Sequence, residues 1–354
     1  MSENWDVSVC ICTYNRCQGM RSALESVLGQ QADGVRFEVI VVDNNSTDET
    51  KQVVDSFVRR GHSSLRYVFE GRQGLSYARN AAIAVADSPL VAFTDDDIRV
   101  APDWVSTIKR VFDEHPEAAW VGGKVLPCWP SPSAPPRWLT GDDWGPLALA
   151  DHGDLPFYTS DRRQTCLVGA NLAVRLDVLA QCGGFAPRLQ RVKDSIGSME
   201  DHELQMRLWR ANRKGLYVPE LVVFSDVAAD RLLKKYYRRW HFGHGRFYAL
   251  ARLEEFECSN VGWLFGVSAQ LYRRAIRDAV GWLASVIRGN FRRAFTHEKS
   301  LWFFLGFLSV RYKEFLEHGH ATHVGELSRF GWVLTRRLFR RPTGGRALTK
   351  QSGV

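Results

Sequence analysis

The stretch Leu90-Val-Ala-Phe-Thr-Asp-Asp-Asp-Ile98 joins a short apolar run to three consecutive carboxylates, Asp95, Asp96 and Asp97. The apolar run has the length and the composition of a buried β-strand. Three adjacent acids repel one another, and each is costly to bury unless a cation or hydrogen bonds compensate for its charge. At the end of such a strand the acids predict a ligand site, because ligands of α/β sheets bind at the carboxyl ends of strands. The alternative is a solvent-exposed acidic turn that caps the next helix.

Apolar, β-prone runs alternate with segments of helical spacing at the start of the chain. The predicted strands are residues 7–13, 37–43, 65–69 and 90–94, and the predicted helices are residues 20–30, 49–60 and 74–86. This alternation is typical of an α/β fold with a doubly wound, mostly parallel sheet. Further on, the pattern predicts strands at 169–175 and 216–224 and helices at 102–115, 176–182 and 198–211.

Polar side chains follow three of the predicted parallel strands. Thr13-Tyr-Asn-Arg16 follows the first strand, Asp43 the second, and Asp95 and Asp97 the fourth. Because the carboxyl ends of parallel strands share one edge of the sheet, we expect these groups to converge in one crevice. Oxygen ligands in an Asp-x-Asp spacing suit Mg²⁺ or Mn²⁺, which is often shared with a substrate phosphate. The fingerprints GxGxxG and GxxxxGK[ST] are missing, which argues against a hydride carrier and against an NTPase.

Charge is distributed unevenly along the chain. Residues 1–230 contain 24 Lys and Arg against 31 Asp and Glu, whereas residues 231–354 contain 23 against 8. A basic C-terminal third predicts an anionic partner, either nucleic acid or a membrane surface. We therefore expect an α/β domain over residues 1–230, a basic α-helical extension over 231–341 and a disordered tail over 342–354.

The basic region contains three apolar segments, residues 261–272, 279–287 and 300–310. Each is shorter than the roughly 20 residues that a membrane-spanning helix needs. Pairs of arginines at 273–274, 292–293 and 336–337 flank them. This pattern predicts interfacial helices on an anionic membrane surface. An ordinary helical subdomain with a solvated basic face is the alternative.

The cysteines and the first residues bear on location. The seven cysteines are scattered and form no Cys-x-x-Cys pair, which fits a reducing compartment rather than a disulfide framework. The first residues lack the basic start and the apolar run of a signal peptide. We therefore expect a cytoplasmic protein.

Seven short motifs, in order, resemble those of the family 2 glycosyltransferases. They are Cys12-Thr-Tyr-Asn-Arg16, Val41-Val-Asp-Asn-Asn-Ser-Thr-Asp48, Gly74-Leu-Ser-Tyr-Ala-Arg-Asn80, Phe93-Thr-Asp-Asp-Asp97, Gly169-Ala-Asn-Leu-Ala-Val-Arg175, Gly183-Gly-Phe185 and Glu200-Asp201. The resemblance covers about residues 6–250. It implies a GT-A fold, a nucleotide-sugar donor, a divalent cation (Mg²⁺ or Mn²⁺) on the Asp-x-Asp pair, and transfer with inversion.

The resemblance also implies roles for individual residues. Asp97 would ligate the metal directly, together with Asp95, which would bind ribose or a metal-bound phosphate. Asp201, beside Glu200, would be the general base that deprotonates the acceptor hydroxyl. The residues implied to hold the donor are Thr13, Tyr14, Asn15, Arg16, Asp43, Arg79, Asp95, Asp96 and, over the diphosphate, Arg238, Arg239 and Trp240.

Two assignments stay open. Many family members have a histidine after the last strand, and here Asp226 either replaces that metal or phosphate ligand or leaves it missing. In Glu200-Asp-His-Glu203, positions 200 and 203 share one side of a helix while 201 points elsewhere. The spacing alone does not say which of these acids is the base.

We therefore predict an inverting glycosyltransferase that moves a sugar from a nucleotide-sugar donor to a glycan or lipid-linked acceptor in cell-surface or exopolysaccharide synthesis. Among the donors we favour a UDP-sugar, because of its frequency in the family. We expect a peripheral protein on the cytosolic face of the inner membrane, with no nucleic-acid partner. One alternative is a sugar-phosphate nucleotidyltransferase, which would need a Gly-rich basic loop after the first strand. The other is a nucleic-acid-binding protein, in which aromatic residues would form a stacking platform rather than lie in apolar runs.

Overall fold

The computed structural model of the chain describes residues 4–130, 135–190, 196, 199–251 and 263–318. These residues form two compact units, which divide between Ala229 and Asp230, and Ile196 and Met199 belong to the second. The predicted tail over residues 342–354 lies outside the described residues.

The first unit is built on a sheet for which the described residues supply nine strands. They are β1 (Val7–Thr13), β2 (Phe37–Asp43), β3 (Leu65–Phe69), β4 (Leu90–Asp95), β5 (Ile98–Val100), β6 (Ala118–Cys128), β7 (Phe157–Thr159), β8 (Leu172–Arg175) and β9 (Lys214–Asp226). The strand order is β3-β2-β1-β4-β8-β6-β9-β5, and β7 pairs with β9. Strands β3, β2, β1 and β4 are parallel, and β8 runs antiparallel to both of its neighbours.

Helices cover both faces of this sheet because its central strands are apolar on both faces. All seven residues of β1 are buried, as are the first five of β4. The helices are α1 (Cys17–Leu28), α2 (Thr50–Arg59), α3 (Leu75–Val85), α4 (Trp104–Glu114), α5 (Leu176–Cys182) and α6 (Glu200–Arg210). In the core, Phe93 of β4 packs edge-on against Phe185, with 5.2 Å between the ring centroids. This packing fixes the end of β4, where the three acids follow.

The predicted fold class is confirmed, and the differences have local causes. The strand predicted at 169–175 begins only at Leu172, because residues 169–171 form a 3₁₀ turn. Strands β5, β6 and β7 were not predicted. In β6, Gly122 and Gly123 weaken the strand pattern, but a Cβ at Gly123 would lie 1.9 Å from the Leu221 carbonyl oxygen. These glycines therefore permit close approach of neighbouring backbones.

The second unit is largely helical, as predicted for the C-terminal region. It contains α7 (Lys234–Ala251), the hairpin strands β10 (Trp263–Leu264) and β11 (Val267–Ser268), α8 (Ala269–Ile287) and α9 (Phe291–His318). Helices α7 and α9 touch backbone to backbone, since a Cβ at Gly306 would lie 1.9 Å from the Phe242 carbonyl oxygen. None of the described helices is both long enough and apolar enough to span a bilayer.

The prediction of an interfacial helix over residues 261–272 is wrong for residues 263–268. Within residues 261–272, positions 263–268 form the β10–β11 hairpin, and the helix starts only at Ala269. The hairpin forms because Phe265 and Gly266 adopt left-handed φ values of 50° and 69°, which favour a two-residue turn and are incompatible with a helix. The segments 279–287 and 300–310 lie within α8 and α9.

Candidate active site

The three acids after β4 are placed differently. Asp95 ends the strand, and Asp96 and Asp97 form the tight turn into β5. Asp96 is only 5% exposed, whereas the side chains of Asp95 and Asp97 keep 29% and 19% of their surface accessible. The Asp-x-Asp pair is therefore the accessible part of the run, and the middle acid belongs to the protein interior.

Asp96 is held by two residues that follow β1. Thr13 Oγ1 donates a hydrogen bond of 2.7 Å to Asp96. Arg16 Nη1 donates to Asp96 at 2.9 Å and to Asp97 at 2.7 Å. Burial, followed by the charge of Asp97, raises the pKa of Asp96 to about 6. Burial alone would lower the pKa of Arg16, but the two acids outweigh it and raise that pKa. Arg16 thus neutralises part of the acid run.

Arg79 of α3 connects the acid turn to the start of α6. Its guanidinium is 3% exposed and lies 3.5 Å from Asp95 Oδ1 and 3.3 Å from Glu200 Oε1. It also lies 5.0 Å from the centroid of the Phe185 ring. Burial alone would lower the pKa of Arg79, but Asp95 and Glu200 outweigh burial and raise it. A Cβ at Gly169 would lie 2.8 Å from Arg79 Nη2, so the backbone passes directly over this charge.

The acids at the start of α6 point to different partners. Glu200 is 2% exposed and faces Arg79. Asp201 is half-buried, and its two oxygens accept hydrogen bonds from the backbone N–H of Gly169 (3.1 Å) and of His202 (2.9 Å). Glu203 pairs with Arg207 at 2.8 Å. The three acids therefore have three different partners, and the grouping of Glu200 with Glu203 expected from the helical spacing is wrong, since Glu203 turns to Arg207 while Glu200 faces Arg79. Asp201 is more accessible than Glu200.

Gln205 is a residue of this site that the sequence analysis missed. It is fully buried, and its Oε1 accepts hydrogen bonds from Leu167 N–H (2.8 Å) and from Trp120 Nε1 (3.2 Å). Its Nε2 donates to the Leu167 carbonyl oxygen at 2.7 Å. Gln205 therefore fixes the segment that leads to Gly169 onto α6. The available signal was a polar residue one helical turn after Asp201 on an otherwise apolar side of the helix.

The predicted nucleotide residues form a linked pair of loops after β1 and β2. Asp43 is 3% exposed and accepts hydrogen bonds from Ser46 N–H (2.8 Å) and from the Tyr67 hydroxyl (2.7 Å). Asn15 has a left-handed φ of 52°, and its Oδ1 accepts from Thr47 N–H at 2.7 Å. Both loops are thus held in one conformation by side chain to backbone hydrogen bonds. Tyr14, in the loop after β1, is half-buried.

Asn44 and Gln190 were also missed, and both shape the loop that leads into α3. Asn44 donates to the Arg72 carbonyl oxygen and accepts from Gly74 N–H, each at 2.7 Å. Gln190 is buried and accepts from Ser76 N–H at 2.9 Å. Gly74 has a φ of 140°, which side chains rarely adopt. Together these contacts position the helix that carries the buried arginine.

The candidate metal ligands are oxygen donors only. The Asp226 carboxylate pairs with Arg99 at 2.8 Å and is 53% exposed, while its backbone N–H donates to the Asp97 carbonyl oxygen at 3.1 Å. The described residues contain no group of three or more His, Cys, Asp and Glu poised as a complete metal site. Two accessible carboxylates nevertheless fit Mg²⁺ or Mn²⁺, which usually take one or two carboxylates and complete their shell with water and substrate phosphates.

The three predicted residues of the basic helix lie in the second unit. Arg238 pairs with Glu298, with a shortest distance of 2.5 Å. Arg239 is exposed, and Trp240 stacks on His244 with 4.2 Å between ring centroids. Their contact with the donor diphosphate stays a prediction.

Two family models match the sequence. The model described as glycosyl transferase family 2 matches residues 8–165. The model described as glycosyl transferase family group 2 matches residues 90–313, which is more than half of the chain. The chain belongs to the family 2 glycosyltransferases, which confirms the family and the enzyme class predicted from its motifs and disfavours both alternatives.

Individual relatives cover different shares of the chain. A glucosyl-dolichyl phosphate glucuronosyltransferase of Haloferax volcanii is 32% identical over 210 residues, 57% of this chain and 63% of the relative. The succinoglycan biosynthesis protein ExoM of Rhizobium meliloti is 25% identical over 255 residues, 70% of this chain and 77% of the relative. The chain spans less than two thirds of the length of the first curated relatives that it matches.

A solved structure supports the fold. A mannosyltransferase from Pyrobaculum calidifontis in complex with GDP-Man and Mn²⁺ aligns with a TM-score of 0.51. The alignment covers 95% of this chain and 82% of the mannosyltransferase, at 17% sequence identity. It shows the GT-A fold.

Proposed function

We propose that this protein is an inverting glycosyltransferase that transfers a sugar from a nucleotide-sugar donor to an acceptor hydroxyl. The observation that carries the proposal is the buried Arg79, which lies between Asp95 on the donor side and Glu200 at the start of α6. Arg79 therefore brings the acid turn after β4 next to the start of α6. This is the arrangement that a displacement between a nucleotide donor and an acceptor requires.

Asp95 and Asp97 would hold a divalent cation together with the donor diphosphate. Such a cation would neutralise the negative charge that develops on the departing nucleoside diphosphate. Arg16 already balances part of the charge on this turn through its bonds to Asp96 and Asp97. We propose Mg²⁺ or Mn²⁺, and the mannosyltransferase of the same fold, which was solved with Mn²⁺, supports that choice.

Asp201 is the proposed general base. The base must lie on the face of the sugar opposite the leaving group, within reach of the acceptor hydroxyl, so that attack is in line. Two backbone N–H groups fix the Asp201 carboxylate, which stays partly accessible. Glu200 is buried against Arg79 and is better suited to position that arginine than to take a proton.

The donor nucleotide and the acceptor are proposed by class. We propose a UDP-sugar first and a GDP-sugar second, the latter because the mannosyltransferase of the same fold was solved with GDP-Man. We propose a glycan or lipid-linked acceptor in cell-surface or exopolysaccharide synthesis, at the cytosolic face of the inner membrane. The names of two relatives support the acceptor class, since one is a glucosyl-dolichyl phosphate glucuronosyltransferase and the other a succinoglycan biosynthesis protein.

Calorimetry of the full chain with UDP, GDP, dTDP and ADP, each with Mn²⁺ and with EDTA, tests the donor side. We expect one nucleoside diphosphate to bind in Mn²⁺ and to bind at least about tenfold more weakly in EDTA. The same nucleotide then selects the nucleotide sugars for a transfer assay. Binding of no nucleotide in either condition would contradict the proposal.

A further inference from the structure

Helix α8 exposes a continuous apolar stripe. Ile276, Val280, Leu283 and Ile287 are 38%, 64%, 54% and 76% exposed. Their spacing of four, three and four residues places them on one side of the helix. Phe291, two residues beyond the turn at Gly289, is 65% exposed and extends the apolar surface.

The stripe lies opposite the side by which α8 packs. Asp278 accepts a hydrogen bond from His297 Nδ1 of α9 at 2.9 Å, and a Cβ at Gly281 would lie 2.6 Å from the same ring. Successive residues of a helix are rotated by about 100° around its axis, so the midpoint between Asp278 and Gly281 lies roughly 160° from the centre of the stripe. A surface helix of a soluble domain normally carries polar residues on that outward side. The outward side of α8 is apolar instead.

Arginines border the stripe. Arg277 and Arg288 are exposed on α8 and its C-terminal cap, and Arg292 and Arg293 are exposed beside Phe291. The acid of α8, Asp278, faces α9 rather than the stripe. The exposed surface around the stripe is therefore apolar and positively charged.

The apolar segment of α9 differs from that of α8. Phe307 is 1% exposed, and Gly306 is in backbone contact with Phe242 of α7. Of the predicted interfacial segments 279–287 and 300–310, the first thus leaves its apolar residues at the surface, and the second uses them mainly to pack the unit.

We propose that the outward face of α8 docks on an anionic lipid surface, with the stripe at the headgroup–acyl boundary and the arginines on the headgroups. An amphipathic helix with arginines beside its apolar side suits such a surface. A second copy of the chain fits less well, because pairing stripe on stripe would bring the arginines of both copies together. This inference deepens the proposed membrane association and rests on it.

Vesicle flotation of the full chain tests the surface. Wild type is expected to float with vesicles of phosphatidylcholine mixed with phosphatidylglycerol, and less with phosphatidylcholine alone or in high salt. The double variant Val280→Ser/Leu283→Ser should lose about tenfold in binding to the mixed vesicles. The matched control is Val58→Ser/Leu155→Ser, which changes two exposed apolar residues of the first unit and should float like wild type.

The outcomes separate this inference from the proposed activity. Nucleotide binding by calorimetry, without vesicles, should be equal in wild type and both double variants, which also shows that they are folded. Unchanged flotation of Val280→Ser/Leu283→Ser, or no flotation of wild type, overturns the inference. A dimer in solution that this variant dissociates overturns it as well, in favour of a second copy. Flotation without any nucleotide binding supports the docking surface and rejects the transferase proposal.

Discussion

Asp97 shares Arg16 with its buried neighbour Asp96, yet it remains partly accessible. We expect Asp97→Asn to lower kcat on the order of 1,000-fold, because the cation would lose one of two carboxylate ligands. The fold should persist, since the change also removes the repulsion between Asp97 and Asp96. Turnover and the thermal midpoint of the purified variant measure both effects. If Asp97→Asn turned over at the wild-type rate, Asp97 would not be a metal ligand.

Asp201 and Glu203 offer a matched pair of acids on the same helix. We expect Asp201→Asn to lower kcat by roughly 100- to 10,000-fold, which is the usual contribution of a general base. Nucleotide affinity should stay near that of wild type. Glu203→Gln is the control, because Glu203 pairs with Arg207 and should leave kcat within about threefold. Weakened nucleotide binding in Asp201→Asn would instead assign Asp201 to the donor site.

At the scale of residues, the sequence identified the acids but not their individual environments. Three aspartates after an apolar strand indicate a ligand site, whereas their division into two accessible groups and one buried group depends on the turn into β5. Likewise, Thr13 was predicted beside the nucleotide, and its hydroxyl bonds the buried Asp96. This hydrogen bond joins residues that are 83 positions apart, and a contact of that range leaves no periodic signal in the sequence.

Helix α6 carries Asp201, the proposed base, and Gln205 fixes this helix to the neighbouring segment. Gln205→Met would leave Leu167 N–H and Trp120 Nε1 without their buried acceptor. We expect a loss of about 2 kcal/mol in the free energy of unfolding, and a lower kcat because Gly169 is no longer fixed against Asp201. Chemical denaturation measures the first effect. Gln181→Met, at an exposed glutamine, is the control and should change neither quantity.

The same helix makes stability depend on pH. Burial lowers the pKa of His202, and the nearby Asp201 carboxylate offsets only part of this. Below the ordinary histidine pKa of about 6.5, the folded state therefore binds fewer protons than the unfolded chain, so stability falls as pH falls. We expect His202→Gln to show a flatter decline of the thermal midpoint from about pH 7.5 to about pH 5.5.

A decline in His202→Gln as steep as in wild type would contradict this prediction. Part of the slope should remain in the variant, because burial also lowers the pKa of His152. The double variant His202→Gln/His152→Gln should be the flattest of the three.

At the scale of elements, strands and helices with a clear period were predictable, and close-packed ones were not. Strand β1 and helix α4 were found from their apolar patterns. Strand β6 was missed because Gly122 and Gly123 interrupt its apolar pattern. The strand needs these glycines, since neighbouring backbones pass too close for a side chain. The β10–β11 hairpin was missed because its turn uses a phenylalanine, Phe265, at a left-handed position.

For the molecule as a whole, the second unit depends on one close helix crossing. Gly306→Ala would place a methyl group 1.9 Å from the Phe242 carbonyl oxygen, so α7 and α9 would have to separate. We expect a cost of about 3 kcal/mol in the free energy of unfolding, measured by denaturation of the full chain. Gly141→Ala, where no atom lies within 4 Å of the added methyl group, is the control. Equal stability of the two variants would disprove the tight crossing.

The ion pair between Arg79 and Glu200 has a consequence for the synthesis of the protein chain itself. Its partners are 121 residues apart in the chain, so they can meet only after the segment from α3 to the start of α6 has been synthesised. A nascent chain that ends at Asp97 has neither β5, into which the acid turn leads, nor the partner strand β9, and it also lacks Asp201, the proposed base. Contacts of such long range form late in folding. Under the proposed function, a chain that ends before Asp201 would have no general base and would leave the sugar donor unused.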